Sequence, residues 1–334
     1  MKILVYIEKA AVRGGIEVFA ERHVARIRAE GHEVDVLDGF SHKERKGRKV
    51  DEKAISIDGC DEIIVHKCSD VATLEAFPPE KTIYYVHDHE PICPRGYAYT
   101  PLKHNCTRAG GIWPCILCAP LCRGWKDALC RVFSQRRRIA AMSRFKKVVV
   151  ISEFMKSRLV ANGLPPERIA VEPPVLDILN AEAQRRGDGE NSASSRLCVE
   201  KIDMLFVGQL IRGKGVQLLL EAMARMKTPR TLDIVGTGNM EGELKTLATR
   251  LGLGDRVRFN GFQQNPQNWM CRAACVVVPS FWQEPYGLVA AEAVALGRPV
   301  VAFAIGGLPE ACHGKATLVP PGDVAALAAA LELP

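Results

Sequence analysis

One segment decides how the second half of this chain folds: Ser280-Phe-Trp-Gln-Glu284-Pro-Tyr-Gly-Leu-Val-Ala-Ala-Glu292-Ala-Val-Ala-Leu-Gly297. The apolar run at 274–279 before it predicts a buried strand, and residues 288–296 predict a helix that the closing glycine ends. Glu284 then lies at the carboxyl end of a strand, beside the N-terminus of that helix. Glu292 lies about two turns further along the same helix.

This arrangement of strand, turn and helix predicts a kind of ligand. A helix N-terminus attracts phosphate, and carboxylates accept hydrogen bonds from sugar hydroxyls. The segment therefore suits a nucleoside diphosphate-sugar, with backbone amides for the diphosphate and the two acids for the sugar and the ribose.

Short apolar runs alternate with helical patterns along the whole chain, which predicts an α/β fold with two tandem doubly wound parallel sheets. The first crossover helix is expected at about 15–30, and further helices are expected to begin near 215, 240, 267, 287 and 323. The predicted strands are 3–7, 33–37, 62–66, 82–87, 147–151, 169–172, 204–207, 231–235, 256–259, 275–278, 299–303 and 317–319.

The boundary between the two sheets is expected in a stretch without periodicity. Pro173-Pro174 and the Gly/Ser-rich residues 184–195 predict a linker at 173–200, between an N-terminal domain at 1–172 and a C-terminal domain at 201–334. Ligands of doubly wound sheets bind beyond the carboxyl ends of the strands. We therefore expect the two sheets to face each other across a cleft.

Composition limits the class of protein. The 334 residues include no apolar run near the ~18 residues that a membrane span needs. We expect a cytosolic protein whose twelve cysteines are thiols or metal ligands. Of the net charge of +7, much is local: residues 101–160 hold 13 Lys/Arg against Asp127 and Glu153. This concentration of positive charge predicts an acidic partner.

Five motifs of the second half together resemble a known family. They are Gly208 with Lys214-Gly215, Gly236-Thr-Gly238, Val257-Arg-Phe-Asn-Gly261, Glu284 with Glu292, and Gly306-Gly307-Leu-Pro-Glu310. Their order and spacing resemble the donor domain of retaining glycosyltransferases of GT-B fold, glycosyltransferase family 4. The first half resembles the family less closely, through Arg13-Gly14-Gly15-Ile-Glu17 and Val150-Ile-Ser152.

The resemblance implies a role for each matching residue. Glu284 would hold hydroxyls of the donor sugar, Glu292 would hold the ribose, and Lys214 would be the main cation on the diphosphate. Phe262 lies where the family holds the nucleobase, and His87, at a strand end, lies where the family places a histidine beside the donor sugar. The remaining positions implied at the donor site are Gly15, Gly208, Gly236, Tyr286, Gly287 and Leu288. A loop histidine bonded to backbone remains the alternative for His87.

Two departures from the family concern the strength of diphosphate binding and the coupling of the domains. Gln209 stands where the family commonly has an arginine, and Arg212 is the candidate to replace that charge. The last predicted helix, 323–332, is followed only by two residues, whereas the family usually continues with helices that return to the first domain.

The N-terminal half contains a cysteine-rich insertion at 88–124. Cys93, Cys106, Cys115 and Cys118 match a branch of the family, and four thiolates can hold a structural zinc or an iron–sulfur cluster. No catalytic metal is expected. Free thiols, or disulfides in an oxidising compartment, are the alternative.

A basic segment, 123–147, combines Trp125 and Phe133 with many arginines. It predicts either a helix on the inner face of an anionic membrane or a solvated helix packed on the sheet. No nucleic-acid-binding motif is present, so a nucleic-acid partner is not expected.

The sequence therefore predicts a cytoplasmic enzyme, with peripheral membrane contact left open. It would transfer a hexose with retention from a nucleoside diphosphate-sugar to a cell-envelope or exopolysaccharide acceptor, lipid-linked acceptors included. The alternatives are a catalytically weak nucleotide-sugar-binding scaffold and a sugar-nucleotide epimerase or hydrolase of GT-B fold.

Overall fold

The computed structural model describes residues 1–9, 15–40, 59–93, 96, 98, 105, 106, 115, 118, 125–176 and 201–332. The chain forms two compact units, Met1–Pro174 and Val175–Pro334. Most of the expected linker, residues 177–200, lies outside the described residues, as do most of the cysteine-rich insertion and residues 10–14 of the first glycine motif.

The N-terminal unit contains a six-stranded parallel sheet in the order β2-β1-β3-β4-β5-β6. Its strands are β1 Lys2–Lys9, β2 Glu33–Phe40, β3 Glu62–His66, β4 Thr82–Val86, β5 Lys147–Val150 and β6 Ile169–Val171. Its described helices are α1 Gly15–Ala29, α2 Val71–Ala76, α3 Trp125–Arg144 and α4 Glu153–Val160.

The C-terminal unit repeats this architecture with a second six-stranded parallel sheet, in the order β12-β11-β10-β7-β8-β9. Its strands are β7 Ile202–Val207, β8 Leu232–Val235, β9 Val257–Phe259, β10 Ala273–Val278, β11 Val300–Phe303 and β12 Thr317–Val319. Its helices are α5 Val216–Met223, α6 Glu241–Arg250, α7 Pro266–Arg272, α8 Leu288–Ala295, α9 Leu308–Ala311 and α10 Val324–Glu332.

Both sheets are covered on both faces, which explains why their strands read as unbroken apolar runs in the sequence. In the first unit, Val65 packs in a cluster on one face of the sheet while Val149 packs in another, and both are fully buried. Phe206 and Val276 do the same in the second unit.

Strand order fixes where each unit can bind a ligand, because the loops diverge where the order reverses. In the second sheet β8 lies on one side of β7 and β10 on the other, so the reversal falls between β7 and β10. In the first sheet it falls between β1 and β3. The loops that leave these strands at their carboxyl ends are the expected binding loops.

The prediction of two tandem doubly wound sheets is confirmed, and every predicted strand is present. The predicted helix at 288–296 is Leu288–Ala295, and the one at 15–30 is Gly15–Ala29. The helices Val71–Ala76 and Leu308–Ala311 were not predicted, because six or four residues are too few to show a helical period.

Candidate active site

Glu284 is the centre of a polar cluster at the reversal point of the second sheet. It follows β10, its side chain is buried, and its Oε1 accepts three hydrogen bonds. Nζ of Lys214 donates one at 2.6 Å, Oγ of Ser280 a second at 2.7 Å, and Nε1 of Trp282 a third at 2.8 Å. The loop after β7 supplies Lys214 and the loop after β10 supplies the other three residues, so the two binding loops meet at this carboxylate.

The charge of Glu284 is stabilised by these partners. Burial alone would raise the pKa of its carboxyl group, but the Lys214 ammonium and the hydrogen bonds from Trp282 and Ser280 outweigh burial and lower that pKa. Glu284 is therefore an anion at neutral pH. All its described hydrogen bonds go to Oε1, which leaves Oε2 as an acceptor for a further donor.

Two glycines allow the loops around this carboxylate to approach each other. Gly236, after β8, has φ +138°, and a Cβ there would lie 1.9 Å from the carbonyl oxygen of Gly208 after β7. Gly306, after β11, has φ +61°, and a Cβ there would lie 2.4 Å from the carbonyl oxygen of Glu284. Any side chain at either position would force the backbone of the site apart.

The helix that follows Glu284 presents its N-terminus without a side-chain cap. Gly287 occupies the N-cap position of α8, and no side chain there accepts a hydrogen bond from the first turn. The amides of the first turn, from Leu288 onward, therefore suit an anion. Tyr286, just before the cap, is almost fully buried, and its hydroxyl lies 3.5 Å from Nε2 of His313.

Two basic side chains lie at the same edge of the sheet. Arg212 and Lys214 lie in a 3₁₀ turn, Arg212–Lys214, that leads into α5. Arg212 is exposed. Gln209, two residues after the end of β7, is exposed too. Lys214 also lies over Trp282, with its Nζ 5.3 Å from the ring centroid.

Phe262 is unusually exposed for an aromatic residue, at 71 % of its surface. It follows β9 in a turn that a buried network holds. Asp233 is only 2 % exposed and accepts a bidentate pair from Arg258, at 3.0 and 2.7 Å, and a bond at 2.8 Å from Nδ2 of Asn260. An aromatic ring exposed in this way can stack on a planar ligand.

Glu292 lies in α8, about one turn inside the helix, and is partly buried. Together with Gly208, Gly236, Lys214 and Glu284 it belongs to the C-terminal unit. The structure brings Lys214 into contact with Glu284 and Gly208 into contact with Gly236.

His87 and Gly15 belong to the N-terminal unit. Gly15 begins α1, and His87 follows directly after β4. Nε2 of His87 lies 2.9 Å from Nδ1 of His66, whose Nε2 lies 3.0 Å from Nδ1 of His23. Burial, more than the neighbouring charges, lowers the pKa of His87 to about 3 and that of His23 to about 4. At neutral pH both rings are uncharged.

The four cysteines expected at a metal are all within the described residues, and each is partly exposed. Cys115 and Cys118 have helical backbone. Among the residues that the structure describes, no three or more His, Cys, Asp or Glu side chains are grouped so that they could hold a metal ion. The described residues therefore show no thiolate metal site, and the expected zinc or iron–sulfur cluster stays a prediction.

The basic segment forms α3, of which one side packs on the unit while Phe133, at 53 %, and Arg136 are exposed. Val132 is buried, and Ile139 packs against the core. Arg138 is 6 % exposed and donates to the carbonyl oxygen of Ser69, while Arg137 forms a bidentate pair with Glu75. These contacts show that α3 packs on the unit, and contact of its exposed side with a membrane surface stays a prediction. In the described part of the chain, no helix is both long and apolar enough to cross a bilayer.

Comparison with known proteins agrees with this geometry. The family model described as glycosyl transferases group 1 matches residues 201–333. Over these residues the C-terminal unit is similar to group 1 glycosyltransferases. The matched residues include the cluster around Glu284, the exposed Phe262 and the uncapped helix α8.

Two curated relatives cover part of the chain. The D-inositol 3-phosphate glycosyltransferase of Streptomyces bingchenggensis (strain BCW-1) is 33% identical over 210 residues, 58% of this chain and 45% of the relative. The D-inositol 3-phosphate glycosyltransferase 1 of Catenulispora acidiphila is 37% identical over 162 residues, 44% of this chain and 38% of the relative. The matched region spans less than half the length of either relative.

Solved structures show the same two-sheet fold along nearly the whole chain. Anabaena Alr3699/HepE in complex with UDP-glucose has 19% identity and a TM-score of 0.66, covering 98% of this chain and 88% of that one. WaaG, a glycosyltransferase involved in lipopolysaccharide biosynthesis, has 16% identity and a TM-score of 0.60, covering 100% and 91%. At these identities the likeness establishes the GT-B fold alone.

Several residues of the site escaped the sequence analysis. Nothing in the sequence marks Ser280 and Trp282 as partners of Glu284, although both donate to the same oxygen of its carboxylate. His66 could have been found, because it ends a predicted strand at the same sheet edge as His87. His23 gave no signal, since a histidine on the buried face of a helix resembles a core residue.

Proposed function

We propose that the protein is a retaining glycosyltransferase that moves a hexose from a nucleoside diphosphate-sugar to a cell-envelope or exopolysaccharide acceptor. The single observation that supports this most is the Glu284 carboxylate, buried at the sheet reversal and held by Lys214 beside the uncapped N-terminus of α8. The retaining outcome rests on the motif resemblance.

The chemistry of the site suits the departure of a diphosphate. As the bond to the sugar breaks, negative charge grows on the leaving oxygen, and preorganised donors lower the barrier. The first-turn amides of α8 and the Lys214 ammonium are such donors. Lys214 has three N–H groups, of which Glu284 takes one, so the ammonium can bind Glu284 and a phosphate oxygen together.

The sugar and the base have separate candidate partners. Oε2 of Glu284 is the acceptor we assign to donor-sugar hydroxyls, and Glu292 is assigned to the ribose. Phe262 is assigned to the face of the nucleobase, because a ligand there would cover an exposed ring. The Anabaena relative of similar fold has been crystallised with UDP-glucose, so UDP-sugars are the first donor class to test.

His87 and Gly15, on the N-terminal unit, are assigned to the donor sugar and to its diphosphate. An epimerase or hydrolase shares the fold but is disfavoured, because the family match over residues 201–333 is to transferases. A catalytically weak scaffold that binds nucleotide-sugar is the second candidate function, because the exposed Gln209 stands where the family commonly has an arginine.

Two further expectations stay predictions outside this core proposal. One is a structural metal on Cys93, Cys106, Cys115 and Cys118, of which the described residues show no site. The other is peripheral contact of residues 123–147 with the inner face of an anionic membrane, for a lipid-linked acceptor, in an otherwise cytoplasmic protein with no nucleic-acid partner.

Replacing Glu292 by Ala tests the ribose assignment. We expect UDP-glucose to bind about 10-fold or more weakly, because hydrogen bonds to a carboxylate contribute about 1.5–3 kcal/mol each. Isothermal titration calorimetry with the full chain measures this. Glu243→Ala is the matched control, since Glu243 is an exposed glutamate of the first turn of α6 in the same unit. Equal affinity of Glu292→Ala and wild type would remove Glu292 from the donor site.

A further inference from the structure

Three histidines of the N-terminal unit, His23, His66 and His87, form a continuous chain of ring-to-ring hydrogen bonds. His23 comes from α1, His66 ends β3, and His87 follows β4. The two nitrogen–nitrogen distances are 3.0 and 2.9 Å, each between an Nδ1 and an Nε2. His66, the middle ring, is completely buried, and His23 is 7 % exposed.

Packing holds these rings in place. Phe19 meets His87 edge to face with centroids 4.9 Å apart, and it also contacts His66 at 5.7 Å. Tyr85 lies 4.9 Å from His23 and 4.7 Å from His66, and its hydroxyl donates to Oε2 of Glu172 at 3.2 Å. The chain is therefore an enclosed element of the core that ends at the sheet edge.

The two hydrogen bonds restrict which ring nitrogens of the three histidines can carry a proton. A neutral imidazole carries one N–H and one acceptor nitrogen. In one arrangement Nδ1 of His23 donates to Nε2 of His66. The proton of His66 is then on its Nδ1, which donates to Nε2 of His87. The proton of His87 must therefore be on Nδ1. If instead Nε2 of His87 donates, the same argument puts the protons of His66 and His23 on Nε2. Only these two arrangements make both bonds.

The rings are held neutral by their surroundings. Burial lowers the pKa of His66 well below its usual value, and the electrostatic interactions with His87 and His23 lower it further. The charged groups nearest the ends of the chain are Glu17 and Lys67 for His87 and Arg26 and Glu172 for His23. A charged ring in the chain would have to be desolvated, so the neutral arrangements dominate at neutral pH.

We propose that His66 and His23 act as positioning residues that couple the tautomer of His87 to their own, so that the buried chain decides whether Nδ1 of His87 donates or accepts a hydrogen bond. This inference rests on the proposed function only for the partner of His87, which would be a hydroxyl of the donor sugar or acceptor. Conversion between the two arrangements adds a proton at Nδ1 of His87 and removes one from Nε2 of His23, so the net charge is unchanged.

The coupling is testable without any substrate. In full-length protein labelled with ¹⁵N-histidine, two-bond ¹⁵N–¹H correlation spectra report which ring nitrogen carries the proton. We expect His23, His66 and His87 to show the same tautomer at pH 7.5 and to keep it, uncharged, down to pH 5.5. A spectrum in which the neutral rings of His23 and His87 have opposite tautomers would overturn the proposal, because no neutral chain allows it.

Substitution of the middle ring separates positioning from ordinary packing. In His66→Phe, which keeps a buried ring, His87 should show an average of both tautomers. In His66→Gln, whose amide can both donate and accept, the single tautomer should be kept. His32→Gln, away from the chain, is the control. If His87 keeps the wild-type tautomer in a folded His66→Phe variant, its tautomer is set elsewhere and the proposal fails.

Turnover supplies a second readout. With an active wild-type enzyme, His66→Phe is expected to lower kcat by about 10-fold or more while the KM for the nucleotide-sugar changes little, because proton-exchanging groups act on the chemical step. His66→Gln should recover most of the loss. Unchanged kcat in His66→Phe would overturn the link to His87. If wild type shows no transfer, the proposed function fails, and the spectra still decide whether the tautomers are coupled.

Discussion

Replacing Lys214 by Met is expected to lower the free energy of unfolding of the C-terminal unit by about 3 kcal/mol, because it removes the cation from a buried carboxylate. The side chains of Lys214 and Glu284 are 24% and 8% exposed, so water cannot replace the lost partner efficiently. Ser280 and Trp282 remain as donors to Oε1, which keeps the loss at the lower end of what breaking a buried ion pair costs. Urea unfolding followed by tryptophan fluorescence measures the change.

The same chain supplies a matched control for this lysine. Lys245 pairs with Glu241 at 2.7 Å, close to the 2.6 Å of the Lys214 pair, but on the exposed surface of α6. Lys245→Met should therefore cost only about 0.5 kcal/mol, as exposed pairs do. Similar losses for the two variants would show that the Lys214–Glu284 pair does not stabilise the fold.

Adding Glu284→Gln to Lys214→Met should recover most of the lost stability, since it removes the charge that has no partner. The loss in Lys214→Met should also shrink on acidification. Without its cation, burial dominates and raises the pKa of Glu284, so that the carboxyl group becomes neutral at a pH where it is still an anion in wild type. A double variant that is as unstable as Lys214→Met alone would contradict this explanation.

Acidification is expected to destabilise the N-terminal unit strongly between about pH 6.5 and pH 4. Folding lowers the pKa of His23 to about 4 and that of His87 to about 3, from 6.5 in both cases. Below pH 6.5 the unfolded chain therefore binds more protons than the folded one, and stability falls as pH falls. By pH 4 the loss is roughly 3 kcal/mol for His23, with a similar contribution from His87, at 1.36 kcal/mol for each pKa unit.

Two acidic groups modify this acid response in opposite directions. Burial raises the pKa of Glu8, so its protonation in acid favours the folded state and offsets part of the loss. Burial also opposes ionisation of Glu172, but Lys147 and Tyr85 outweigh it and lower that pKa, which adds to the loss below about pH 4.5. The histidines change over a higher pH range than Glu172, so their effect appears before that of Glu172.

Hydrogen exchange of the full chain can separate the two units in this experiment. After correction for the intrinsic exchange rate, peptides covering β3 and β4 should lose protection between pH 7 and pH 5 far more than peptides covering β8 and β10. The second unit is the internal control. Equal loss in both units would mean that the buried histidines do not determine the acid response.

Much of this fold was predictable because each sheet is buried on both faces. Runs such as Ile63 to Val65 or Val148 to Val150 have to be apolar throughout, and no helical period competes with them. The candidate site was predictable where glycine and charge coincide with strand ends. Gly236, Lys214 and Glu284 are of this kind, because each follows a strand that ends at the same sheet edge.

Other contacts of the site could not be predicted from the sequence and are visible only in the structure. That Ser280 and Trp282 bond to the same oxygen of Glu284 depends on the course of a turn, which residue types alone do not fix. The histidine chain joins residues 23, 66 and 87 across two strands and a helix, and sequence spacing carries no record of such a contact. Arg137 and Arg138 are a further example. The basic pattern of the sequence does not show that these two side chains bond to other residues of the protein.

The most direct test of the central claim is the release of UDP from UDP-glucose, followed by ³¹P NMR, with the full chain and with Glu284→Gln. We expect slow release by wild type in the absence of an acceptor, and release slower by about 10²-fold or more in Glu284→Gln, because the variant loses the anion that orients the sugar. The same test extends to GDP-, ADP- and TDP-sugars. If folded wild-type protein releases nucleoside diphosphate from none of them, or if Glu284→Gln releases it at the wild-type rate, the proposed catalytic site is contradicted.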